Sequence, residues 1–127
     1  MLKKIEHIGL EVADLDRSVR FYTEVLGLAV ADTAAMGDLS IAFMQIGDSQ
    51  LELLCWKKQH DGYGKEGAFP HLAFTVDDID SRVAHLRAKG VNCTSEAPME
   101  ALNGCKIFFF RGPDNEILEL FQPRPLS

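Results

Sequence analysis

The chain contains itself twice, and this duplication limits its folds more than any other feature. Residues 7–16 read HIGLEVADLD and residues 71–80 read HLAFTVDDID, an offset of 64 that keeps one His, one Val and two Asp and exchanges apolar for apolar. LELL at 51–54 returns as LELF at 118–121, at an offset of 67. Two halves that each open on a His segment and close on a Glu segment are the mark of a repeated unit. In 127 residues the two copies share a single domain, 1–127, with modules at about 4–56 and 69–122. The linker between them, 57–68 (KKQHDGYGKEGA), is polar and glycine-rich.

Each copy has the same element pattern. Ile8, Leu10 and Val12 alternate with His7, Gly9 and Glu11, the period of a half-buried strand. Asp14 or Asp16 caps a helix near 15–26 with Leu15, Val19, Tyr22 and Leu26 on one face, and Gly27 ends it. Strands follow near 28–33, 39–46 and 50–56, with Gly47-Asp48 as a turn. The second copy repeats this as strand 70–76, helix 79–89 stopped by Gly90, and strands near 91–95, 104–111 and 116–122. Pro113-Asp114-Asn115 makes its last hairpin turn. The expected fold class is α+β: two βαβββ modules pairing to form a curved mixed sheet around a cleft.

Alternation assigns faces residue by residue. If Ile8, Leu10 and Val12 cover the helix, His7 faces the cleft. Leu51, Leu53 and Cys55 inward put Glu52 in the cleft, Leu72, Phe74 and Val76 do the same for His71, and Leu118 and Leu120 for Glu119. All four fall mid-strand in this scheme, among Ile5, Leu54, Trp56, Phe69, Ile117 and Phe121. Carboxylates in apolar company are costly unless paired, protonated or bound to a cation. Two imidazoles and two carboxylates in symmetric positions suit a divalent first-row metal, and without thiolate they leave Ni, Co, Zn, Mn and Fe open. Leu54, Trp56, Phe69 and Phe121 are the expected substrate-pocket lining. His60 in the linker and His85 on a polar helix face are expected to be solvated.

Composition narrows the partners. Thirteen Lys+Arg against nineteen Asp+Glu leave a net charge of −6. That balance argues against nucleic acid and against an anionic membrane surface. No apolar run approaches the roughly 20 residues of a membrane span, and no signal-peptide apolar stretch follows the N-terminus. Cys55, Cys93 and Cys105 form neither an even set nor a CxxC pair, so a reduced, cytoplasmic protein is expected.

The motifs HIGLEVADLDRSVRFYTEVLGL, LELL, PHLAFTVDDID and FFFRGPDNEILELF cover residues 4–122 and resemble the vicinal-oxygen-chelate superfamily. Within it, the set His, Glu, His, Glu is most similar to glyoxalase I, the lactoylglutathione lyase. The resemblance implies that His7, Glu52, His71 and Glu119 ligate the metal, with nickel or cobalt suggested by histidine in the first position. It implies a metal-dependent lyase/isomerase working through a metal-bound enediolate on a small substrate with vicinal oxygens, such as a thiol hemithioacetal. Glu119 would then be the base, with Glu52 its counterpart, and the protein a homodimer. The chain departs from the family at two glutathione contacts, where Glu11 stands in place of arginine and Trp56 in place of asparagine, and the usual DPDG turn reads GPDN. An extradiol-type dioxygenase would need His7, His71 and Glu119 alone, and a fourth carboxylate crowds the positions its substrates require. Other metal enzymes of the superfamily, or a non-catalytic drug-binding protein like the bleomycin-resistance members, are the remaining alternatives.

Overall fold

The computed structural model describes residues 5–58, 71–101 and 104–125. It divides into two units, Met1–Gly67 and Ala68–Ser127, so the boundary falls inside the expected linker and each unit holds one copy of the repeat. Residues 59–68 of that linker, with His60, and Phe69 of the expected pocket lie outside the described residues.

The first unit runs β1 (His7–Glu11), α1 (Leu15–Arg20), β2 (Ala29–Met36), β3 (Leu39–Ile46) and β4 (Ser49–Trp56). Asp14 caps α1 by accepting from the Arg17 amide at 3.1 Å. The helix then widens into a π-helical turn over Phe21–Val25. Ser18 and Tyr22, one turn apart, are fully buried, while Leu15, Val19 and Leu26 are half-buried. Gly27, at φ 76°, donates to the Thr23 carbonyl, and Leu28 donates to Tyr22, closing the helix in a left-handed cap.

The strands form a sheet of order β1-β4-β3-β2, with β1 parallel to β4 and the other pairs antiparallel. Gly47-Asp48 is the two-residue turn expected, with Ile46 opposite Ser49, and Gly37-Asp38 is a second one between β2 and β3. Leu51, Leu53, Ala42 and Met44 share one buried face, and α1 packs on β3 and β4. Ile8 is 37% exposed rather than inward-packed, because β1 is an edge strand and only Val12 beyond its end reaches the core.

The second unit runs β5 (Leu72–Thr75), α2 (Ile79–Ala88), β6 (Asn92–Cys93), β7 (Met99–Glu100), β8 (Lys106–Arg111) and β9 (Ile117–Gln122). Asp78 caps α2 through the Ser81 amide, and Gln122 Oε1 accepts from the Ile79 amide at 2.8 Å. Ile79, Val83 and Leu86 are buried beside Phe108, Phe110, Leu118 and Leu120, and α2 packs on β6, β8 and β9. The sheet order is β5-β9-β8-β6, with β5 parallel to β9 and β7 also pairing β8. The strand expected at 91–95 is cut short to Asn92–Cys93, and β7 at Met99–Glu100 is a further short pairing beyond the expected range. Phe109 O takes the amides of both Thr94 and Ser95, which interrupts the ladder, and Pro98 has no amide to resume it. The last hairpin turns where expected, with Asn115 at φ 64°. Both units are α+β with mixed sheets.

Candidate functional site

Strand register decides which side chains meet. In the first unit Gly9 is the β1 partner of Glu52, so His7, two residues earlier, lies on the same face one step along. His7 Nε2 is 3.1 Å from Glu52 Oε2. Phe43 is the partner of Glu52 on the other side, across β3. In the second unit Ala73 is the partner of Glu119, and His71 lies two residues before it. His71 Nε2 is 3.0 Å from Glu119 Oε1, and Phe109 on β8 is opposite Glu119. The same constellation is therefore built twice: imidazole, carboxylate, and a phenylalanine across the next strand.

The positions within the strands differ from expectation. Both glutamates are mid-strand, but His7 is the first residue of β1 and His71 precedes β5. The reason is that β5 pairs with β9 over only four residues, Leu72 to Thr75. Each histidine thus sits where the chain enters its sheet, 47% and 41% exposed at the side chain, over a carboxylate that is 16% exposed at Glu52 and 8% at Glu119.

Glu119 is the buried charged residue the apolar surroundings predicted, and its imidazole partner explains how it is tolerated. Among the described residues no buried side-chain nitrogen or oxygen lacks a partner. The four sequence-nominated donors come together as two pairs, and among the described residues no three His, Cys, Asp or Glu converge.

Each pair suits a divalent cation. Nitrogen with oxygen is the donor mix such ions accept; as they stand, at 3.1 and 3.0 Å, the two members of each pair are within hydrogen-bond length of each other.

Of the expected pocket, Leu54 follows two residues after Glu52 on the same face, half-buried, and Trp56 ends β4 at 40% exposure. Phe121 is half-buried, two residues after Glu119 and opposite Ile107. Glu11 ends β1 opposite Leu54. Cys55 turns away from Glu52, its thiol 3.6 Å from the Ala13 carbonyl, and all three cysteines are free thiols. His85 is half-buried on α2 rather than fully solvated, because it lies between the buried Val83 and Leu86. Among the described residues no helix is long and apolar enough to cross a membrane.

Sequence patterning missed the two phenylalanines and a pair of amides, Gln45 and Gln50, beside His7. The signal was present: counting back across the Gly47-Asp48 turn pairs Gln45 with Gln50 and Phe43 with Glu52.

The sequence model of the Glyoxalase/Bleomycin resistance protein/Dioxygenase superfamily matches residues 4–120. A probable lactoylglutathione lyase of Vibrio parahaemolyticus is 35% identical, covering 98% of this chain and 94% of that protein. The lactoylglutathione lyase of Haemophilus influenzae is 34% identical over 94% of this chain and 92% of that one. Among solved structures, a glyoxalase family protein from Enterococcus faecalis superposes with a TM-score of 0.79 at 26% identity, covering 94% of this chain and 97% of that chain.

Proposed function

The chain belongs to the glyoxalase/bleomycin resistance protein/dioxygenase superfamily, and on that premise we propose that it is a divalent-metal-dependent lyase/isomerase of the glyoxalase I type. The observation that carries this reading is the repeated imidazole–carboxylate pair, His7 with Glu52 and His71 with Glu119, at equivalent register positions of the two units. The relatives named lactoylglutathione lyase support the same reaction class.

In this reading His7, Glu52, His71 and Glu119 would hold a divalent cation, Ni, Co or Zn first and Mn or Fe next, supplied by one chain or by two copies in a homodimer. A bound divalent cation stabilises negative charge on neighbouring substrate oxygens by several kcal/mol. The chain's own residues do the rest. Glu119 takes a proton from the carbon beside a carbonyl and returns it to the next carbon, so the substrate is isomerised without net oxidation. The low exposure of Glu119 limits competing water, and the carboxylate is held within one hydrogen-bond length of His71. Glu52 occupies the equivalent position in the first unit and is the second proton-handling candidate. Phe121, Leu54 and Trp56 provide apolar contact for the part of the substrate that does not react.

The test is metal content of the purified protein, followed by return of Ni, Co, Zn, Mn and Fe to the chelated protein in a methylglyoxal hemithioacetal assay with glutathione and with smaller thiols. Turnover that needs the cation, and a Glu119→Gln variant that binds it but loses 10²–10⁴-fold in kcat, are expected. Full turnover by the chelated protein or by Glu119→Gln refutes the mechanism.

A further inference from the structure

The two half-sites differ in what surrounds their histidines. His71 has Phe109 edge-on, with ring centroids 5.7 Å apart. Its neighbour along β9 is the apolar Ile117, one residue before the paired Leu118. His7 instead has Gln50 as its register partner on β4, and Gln50 faces Gln45 on β3.

These two amides are joined in one direction only. The Gly47 carbonyl can only accept, so Gln45 Nε2 donates to it, at 2.8 Å. Gln45 Oε1 is thereby turned to accept from Gln50 Nε2, at 3.1 Å. A backbone carbonyl thus sets the orientation of both side chains. Strand β4 lies between β3 and β1. With its nitrogen committed toward β3, Gln50 keeps Oε1 as its remaining acceptor, on a residue whose register partner on the other side is His7. Among the described residues Gln50 Oε1 accepts no hydrogen bond.

His7 uses Nε2 toward Glu52. For that nitrogen to offer an electron pair to a cation, the ring proton must sit on Nδ1, and the hydrogen bond available to Nδ1 decides how costly that is. We infer that Gln50, aimed by Gln45 and the Gly47 carbonyl, is a positioning residue for His7: its Oε1 accepts the Nδ1–H when Nε2 turns from Glu52 to a cation. The second unit has no counterpart to this amide pair, since Ile117 and Arg111 occupy the equivalent places. The inference rests on His7 being a ligand, as proposed above.

The experiment uses zinc and the whole chain. Zinc affinity is measured by competition with a chromophoric chelator, and the ring protons of the zinc-loaded protein by nitrogen-edited NMR, with His7 assigned by its loss in His7→Gln. Gln50→Leu keeps size and removes the acceptor. It is expected to lose about tenfold in zinc affinity and to lose the slowly exchanging His7 Nδ1–H signal. Gln50→Glu keeps an acceptor and is expected to retain that signal, and Gln45→Leu weakens it by freeing the Gln50 amide. Unchanged affinity and an unchanged Nδ1–H signal in Gln50→Leu overturn the inference while leaving the metal reading intact. Equal loss of the signal in Gln50→Leu and Gln50→Glu assigns a packing role and overturns it too. A wild-type chain that binds no zinc or other divalent cation sinks the functional reading, and this inference with it.

Discussion

Replacing His71 with leucine takes away the imidazole 3.0 Å from Glu119 and leaves a carboxylate that is 8% exposed, between Ala73 and Phe109. Removing one partner of a buried pair costs about 3–5 kcal/mol. The His71 ring is 41% exposed, so solvent screens part of what is lost. About 2–3 kcal/mol is the expected destabilisation of the metal-free protein.

The same exchange at His7 acts on a milder setting. Glu52 is 16% exposed, its β1 partner is Gly9, which has no side chain, and Gln50 lies on its face. About 1 kcal/mol or less is expected there. The assay is urea unfolding in chelator at pH 7, followed by circular dichroism. The double variant His71→Leu/Glu119→Leu removes the stranded charge along with its partner and is expected to recover most of the loss. A His71→Leu cost below about 0.5 kcal/mol, or a double variant no more stable than the single, would show that Glu119 does not depend on its imidazole.

Other perturbations separate local from tertiary effects. Gly27→Ala is expected to cost about 1 kcal/mol from its φ of 76° alone, since an added Cβ meets nothing within 4 Å; denaturant midpoints check it, and a stabilised variant contradicts the strain argument. Asp78→Ala removes the α2 cap and is expected to lose about 1 kcal/mol by the same assay, with more lost when Gln122→Leu also strips the Ile79 amide of its acceptor. Phe110→Ala empties a fully buried position and is expected to lose about 3–5 kcal/mol, a result that thermal melting would reveal and that near-neutral stability would contradict.

Much of the fold was legible because period and punctuation are local properties. The alternation at Leu51, Leu53 and Glu52 shows directly in the burial of β4, and Gly27, Gly47, Gly90 and Asn115 mark turns because their backbone conformations exclude most other residues. Departures occurred where a neighbour outvoted the local pattern. Tyr22 fills the core as its place on the helix face requires, but Ser18, one turn before it, joins it there while Val19 stays half-buried, because the stripe that the helix lays on β3 and β4 runs through Ser18 and Tyr22. The strand expected at 91–95 breaks where two amides share the Phe109 carbonyl.

The site divides in the same way. The repeat, the family and the four candidate donors can be read along the chain, and so can the donors' faces, because side-chain direction in a strand follows from counting by two. That His7 meets Glu52 and His71 meets Glu119 is a property of the folded sheets. Those contacts depend on the parallel register of β1 with β4 and of β5 with β9, set by chain segments more than 40 residues apart. The amide pair beside His7 and the phenyl ring beside His71 belong to that same level. Residue types can be repeated by duplication, but what stands next to them is chosen by the strand across the sheet.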